Sequence, residues 1–154
     1  MSSFYSAAIA IIENQDGEIL MVQESKDFIE GTWDFPGGGW EDKESVIDCV
    51  EREVLEETGY TVNTEELVGL YKGASNRNGT ETIVFVFTAS IDKDIEQKDH
   101  LEDDILDARF FKPEELKSLD LREENRLEIL ENYLKGEKYP VEILWNQLSL
   151  LKHE

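Results

Sequence analysis

The sequence predicts a layered α/β domain built on a mixed β-sheet. Three observations carry this. Runs of strand character stand before and after one strong helix, Ser45 to Thr58. A second helical pattern lies near the C-terminus. The turn signals Asp16-Gly17 and Asn78-Gly79 imply hairpins, and hairpins make a mixed sheet a better fit than an all-parallel one. At 154 residues the chain reads as a single domain, 1–154, with a core over about residues 5–134 and the C-terminal tail packed on it.

In chain order, "YSAAIAII" and "ILMVQ" read as two strands joined at Asp16-Gly17. The extended piece "TWDFP" runs into Gly37-Gly38-Gly39, a loop able to bend sharply and to let backbone approach a ligand. Ser45 and Asp48 match a capping box at the start of the first helix, and Gly59 stops it. "ELVGLYKGA" and "ETIVFVFTASI" are strands flanking Asn78-Gly79, and Asp92 to Asp104 has no clear period and reads as a loop. "ARFF" is a short strand, Pro113 opens a helical turn, and "REENRLEILENYLK" is an amphipathic helix stopped by Gly136. The tail from Tyr139 is apolar enough to pack and fits strand or helix.

Composition narrows the chemistry. With 36 acids against 15 Lys plus Arg, the formal net charge is −21, which disfavours extended nucleic acid and anionic membranes as partners. One cysteine, Cys49, permits no internal disulfide and suggests a reducing compartment. The N-terminus has no basic leader and its apolar run is too short to span a bilayer, so a cytoplasmic protein is expected. Only His100 and His153 are present, leaving little material for zinc sites or Ser-His-Asp catalysis. Any chemistry therefore rests on carboxylates.

The first helix carries them in an awkward place. At about 100° per residue, Val46, Ile47, Val50 and Val54 share one broad face, and Glu53, Glu56 and Glu57 overlap that face. These acids repel one another and lie toward the negative end of the helix dipole. A solvated acidic face would stand opposite the apolar stripe. A bound divalent cation removes the difficulty, and hard oxygen ligands suit Mg²⁺ or Mn²⁺. Arg52, four residues from Asp48 and from Glu56, has the donors to hold a carboxylate in place, and Glu44 can reach back toward the same centre.

Gly38, five residues, Glu44, seven residues and then "REVLEETGY" resemble the signature box of the Nudix hydrolases, with Tyr60 at the final apolar position. "GTWDFPGGG" before the box and "DARFFKPEEL" after it are also similar to that family. The resemblance implies an α/β/α sandwich around a mixed sheet and metal-dependent hydrolysis of a diphosphate linkage in a nucleoside diphosphate derivative. It further implies Glu53, Glu56, Glu57 and the Gly37 carbonyl as ligands of Mg²⁺ or Mn²⁺. Arg52 and Glu44 would orient the carboxylates, and Glu53 would be general base unless a later acid (Glu96, Glu102, Asp103 or Asp104) takes that role.

Substrate markers lie outside the box. The segment "GASNRN" carries neither the Pro typical of ADP-ribose enzymes nor the Tyr typical of diadenosine polyphosphate enzymes, which tilts the expectation toward a nucleoside triphosphate or modified nucleotide. An ADP-ribose or nucleotide-sugar pyrophosphatase and a noncatalytic nucleotide-sensing module are the alternatives. Phe28, Trp40, Tyr71 and Arg77 are candidates for substrate contact, each also fitting a packing role. Trp33 fits packing under the Gly loop and Cys49 a place in the core. The expected partner is a small-molecule nucleotide, with the protein a monomer or homodimer.

Overall fold

Nine consecutive residues from Phe4 to Ile12 form the first strand, β1, and its last six are all buried, so both faces of the strand must be covered. The computed structural model describes residues 4–26, 29–74, 80–99 and 102–144. The elements after β1 are β2 (Ile19–Glu24), β3 (Trp33–Asp34), β4 (Gly37–Gly39), α1 (Val46–Thr58), β5 (Val62–Ala74) and β6 (Glu81–Ile91). They are followed by β7 (Ile105–Phe111), a 3₁₀ turn (Pro113–Ser118), α2 (Asn125–Leu134), β8 (Tyr139–Pro140) and a second 3₁₀ turn (Val141–Leu144).

β1 lies parallel to β6 and antiparallel to β4 inside a mixed five-stranded sheet of order β4-β1-β6-β5-β8. Alternation along β1 then sorts the core. Ala8, Ala10 and Ile12 pack with Val46, Cys49, Val50 and Val54 of α1 on one face. Ile9 and Ile11 pack with Leu116, Ile129 and Leu130, bringing α2 to the other. Helices on opposite faces make the expected α/β/α sandwich.

Three local expectations change in detail. The Asp16-Gly17 turn is present, with Gly17 at φ 77° and its N–H bonded to Asn14 O at 3.1 Å. The strands on either side of it, β1 and β2, part into different sheets, because β4 and β6 already occupy both edges of β1. β2 therefore pairs with β3 and β7 in an antiparallel three-stranded sheet. The glycine triplet is also more than a loop. Gly37–Gly39 is a strand pressed onto β1, and a Cβ at Gly37 would stand 2.1 Å from Ala8 O. Finally, β7 opens at Ile105 rather than Ala108, and α2 spans only Asn125–Leu134.

The α1 caps are as expected: Ser45 Oγ accepts the Asp48 N–H at 2.9 Å, and Gly59 takes the left-handed conformation at φ 76°. The tail contributes both a strand and a turn, β8 pairing with Glu66 and Leu67 of β5. Asn78-Gly79 and the chain beyond Leu144 lie outside the described residues.

Candidate active site

Helix α1 ends against a loop that covers its last carbonyls. The Glu102 N–H donates to Glu56 O at 3.2 Å, the Lys98 N–H to Gly59 O at 2.9 Å, and the Gln97 side chain to Thr58 O at 2.9 Å. These bonds satisfy acceptors that every helix C-terminus leaves open. They also bring a further acid to the helix face. Carboxylate oxygens of Glu53, Glu56 and Glu102 all lie within 4.8 Å of one another.

Arg52 organises the helix side of this group. Its Nε and Nη2 donate to the two oxygens of Glu44 at 3.0 and 2.9 Å, a bidentate pair. Nη1 donates to Glu53 at 2.8 Å and to Glu56 at 3.1 Å, and Nη2 also to Gly39 O at 3.1 Å. Hydrogen bonding from Arg52 holds the Glu44 carboxyl below the usual carboxylate range. Glu44 is tied in turn by the Glu41 N–H at 2.9 Å.

Glu53, Glu57 and Glu102 are pushed the other way. Glu57 is only 5% exposed and accepts the Gly37 N–H at 2.7 Å, yet burial raises its carboxyl well above the usual range. Burial raises Glu53 as well, against the pull of Arg52. Glu102 is pushed up to about 7, by desolvation first and by the Glu56 carboxylate second. One arginine does not neutralise so many carboxylates; a divalent cation would, and all-oxygen donors suit Mg²⁺ or Mn²⁺.

The group opens into a cleft of about 440 Å³ whose floor is the sheet face carrying Ala7, Ile9 and Val84. A family model described as NUDIX domain matches residues 4–133. The chain belongs to the NUDIX family. The NUDIX domain is 29% identical to a solved NUDIX hydrolase from Nitrosomonas europaea, with a TM-score of 0.84 over 92% of this chain and 95% of that one. It is 27% identical to the phosphatase NudJ of Shigella boydii serotype 4 over 88% of each chain. It is 35% identical to the 8-oxo-dGDP phosphatase NUDT18 of Mus musculus over 53% of this chain and 24% of that protein. The chain spans half or less of the length of several curated relatives that it matches.

Within this NUDIX domain, Gly37, Arg52, Glu53, Glu56 and Glu57 all line the cleft, with Glu44 behind Arg52. The carboxylates that converge are Glu53, Glu56 and, from the later loop, Glu102, while Glu57 lines the same cleft with one oxygen on the Gly37 N–H. Of the other loop acids, Asp104 lines the cleft, whereas Glu96 and Asp103 do not. Trp40 is not a cleft residue: its Nε1 donates to Glu44 O at 2.9 Å and its ring meets Phe85 edge-on at 5.6 Å, on the α1 side of the sheet. Tyr71 also lies outside the cleft lining, its hydroxyl accepting from Asn132 at 2.8 Å. Phe28 and Arg77 fall outside the described residues. Cys49 is fully buried and its thiol is pushed up to about 12, as a core cysteine should be.

Sequence reasoning missed Tyr5, Glu24, Lys26, Asp34, Arg122 and Arg126, all of which line the cleft. One signal was present. Arg126 stands three and four residues before Ile129 and Leu130, on the buried stripe of α2, where a charge needs a partner. That partner is Asp34, which accepts Nε at 2.6 Å and Nη2 at 3.1 Å. No helix among the described residues is long and apolar enough to cross a membrane.

Proposed function

We propose that this NUDIX domain hydrolyses a diphosphate linkage in a nucleoside diphosphate derivative, with a nucleoside triphosphate or a modified nucleotide as substrate. The observation that carries the reading is the convergence of Glu53, Glu56 and Glu102 oxygens within 4.8 Å in an open cleft, on a helix end already rich in negative charge. Glu53, Glu56, Glu57 and the Gly37 carbonyl would hold Mg²⁺ or Mn²⁺, and Glu102 would join them from its loop. The name of the mouse relative, which specifies 8-oxo-dGDP, supports a modified nucleotide as the substrate class.

A cation held there would neutralise diphosphate oxygens and lower the pKa of water. The chain's own residues do the rest. Arg52 and Glu44 keep the Glu53 and Glu56 carboxylates in one geometry, so little reorganisation is needed when the anion arrives. The attacking water gives its proton to Glu53 or Glu102 as its oxygen bonds to phosphorus and the bridging P–O bond breaks. The surrounding charge of −21 repels free phosphate compounds, so substrate binding depends on the metal and on the few cations that line the cleft.

A nucleotide panel with Mg²⁺ or Mn²⁺, read as released phosphate or pyrophosphate, tests the activity. At least one nucleoside diphosphate derivative is expected to be cleaved, and EDTA is expected to stop it. Turnover that survives chelation sinks the mechanism; binding without turnover across the panel makes the domain a nucleotide sensor.

A further inference from the structure

Among the described residues four cations line the cleft, Lys26, Arg52, Arg122 and Arg126, and two of them are spent. Arg52 has five acceptors. Arg126 is 5% exposed, clamped by both oxygens of Asp34 and bonded to Asn125 at 2.9 Å. Arg122 is different. Its guanidinium has one acceptor among the described residues, Glu24 Oε1 at 3.3 Å, and its side chain is 39% exposed. Among the described residues Lys26 has one carboxylate partner, Asp104 at 3.1 Å, with 55% of its side chain exposed.

Backbone bonds fix the chain next to both cations in the cleft that holds the acidic triplet. The Ser25 N–H donates to Asp104 O at 2.9 Å, and Glu102, two residues earlier, donates to the end of α1. The Arg122 N–H donates to Trp33 O at 2.9 Å, fixing the start of its side chain at the strand that leads into the glycine triplet. Lys26 and Arg122 are close enough to feel each other's charge, and both reach Glu24 and Tyr5 electrostatically. Two like charges gathered in a cleft of so acidic a protein, one of them with unused fork donors, make a receptor for an anion.

We infer that Arg122, with Lys26, binds an anionic group of the substrate beyond the diphosphate held at the carboxylates, so that the domain prefers nucleoside triphosphates over the matching diphosphates. This rests on the activity proposed above and names a specificity determinant for it. Arg122 supplies the free guanidinium edge for a phosphate oxygen pair, and Lys26 adds a point charge from the same cleft.

The test is equilibrium binding of the α,β-methylene analogues of dGTP and dGDP, in Mg²⁺, to wild type and to Arg122→Gln, Arg122→Lys and Lys26→Met, with thermal unfolding of each variant as a check on folding. Wild type is expected to bind the triphosphate analogue more tightly. Arg122→Gln is expected to cut that preference about tenfold, the loss of one charge-assisted contact. Arg122→Lys should restore part of it, and Lys26→Met should reduce it less. An unchanged preference in Arg122→Gln, or equal weakening of both analogues, overturns the inference. If wild type binds neither analogue yet cleaves another nucleotide, the inference falls and the proposed activity stands. If the Arg122-dependent preference is present but no nucleotide is cleaved in a metal-dependent way, the activity falls and the anion site stands.

Discussion

Gly38 lies directly against the carboxylate of Glu53: a Cβ built on Gly38 would stand 2.5 Å from Glu53 Cδ and 2.6 Å from Oε2. The contact joins β4 to α1 and leaves the Glu53 carboxylate no room to shift toward the sheet. Gly38→Ala is expected to displace the flexible end of Glu53 rather than the backbone, at a stability cost of about 1–3 kcal/mol, the usual range for an overpacked site. Activity should fall by about two orders of magnitude, since a 1 Å misplacement in such a centre has that effect. Thermal unfolding and kcat/KM measured on the same preparation check it; full activity would show that Glu53 tolerates displacement.

Arg52→Lys should separate charge from geometry. A lysine keeps one positive charge but cannot reproduce the fork that holds both oxygens of Glu44 while reaching Glu53 and Glu56. Groups that orient metal ligands typically contribute about 10–100-fold to metal affinity. A Mn²⁺ titration of the variant should show a loss in that range, and affinity equal to wild type would remove Arg52 from the metal site.

The metal-free protein should lose stability as pH rises. Burial holds Glu57 and Glu53 above the ordinary carboxylate value of 4.5, and Glu102 stands at about 7. Between those values the folded state keeps protons that the unfolded chain has released. The Glu102 contribution is therefore complete below 4.5 and disappears as pH climbs through about 7, and Glu53 and Glu57 act in the same direction. In EDTA the melting temperature should fall across that interval. Saturating Mg²⁺ should oppose the fall, because the cation binds the ionised carboxylates, adding about 2.7 kcal/mol at a hundredfold excess over its Kd. A melting temperature that rises with pH in EDTA would contradict the raised carboxyls.

Arg126→Met should be costly to the fold. Arg126 and Asp34 have side chains only 6% exposed, and removing one partner strands the other charge in the interior. The expected loss is about 3–5 kcal/mol. Asp34→Leu combined with Arg126→Met should recover a large share of it, read by denaturant unfolding of the single and double variants. No recovery in the double variant would mean that the pair's neighbours, rather than the stranded charge, set the cost.

Much of the centre was legible along the chain because it is local. Helical periodicity alone places Glu53, Glu56 and Glu57 on one face, and Ser45, Asp48 and Gly59 bound the helix by short-range hydrogen bonds. Arg52 reaches Glu56 one turn away for the same reason. Spacing on a single rigid element survives whatever the rest of the fold does.

What depends on contacts distant in sequence was decided only in three dimensions. Glu102 enters the triplet because its loop caps the last carbonyls of α1, and no period in Asp92 to Asp104 announces that. Asp34 finds Arg126 across 92 positions of chain, which neither residue's neighbours specify. Trp40 follows the glycines in sequence but turns to the α1 side, where Phe85 and the Glu44 carbonyl receive it. β1 and β2 share a turn and separate because β1, buried on both faces, is claimed by β4 and β6. Helix geometry is set by each residue and its neighbours within a turn. Strand partners, loop docking and buried charge pairs are set by which surfaces the whole chain can cover at once.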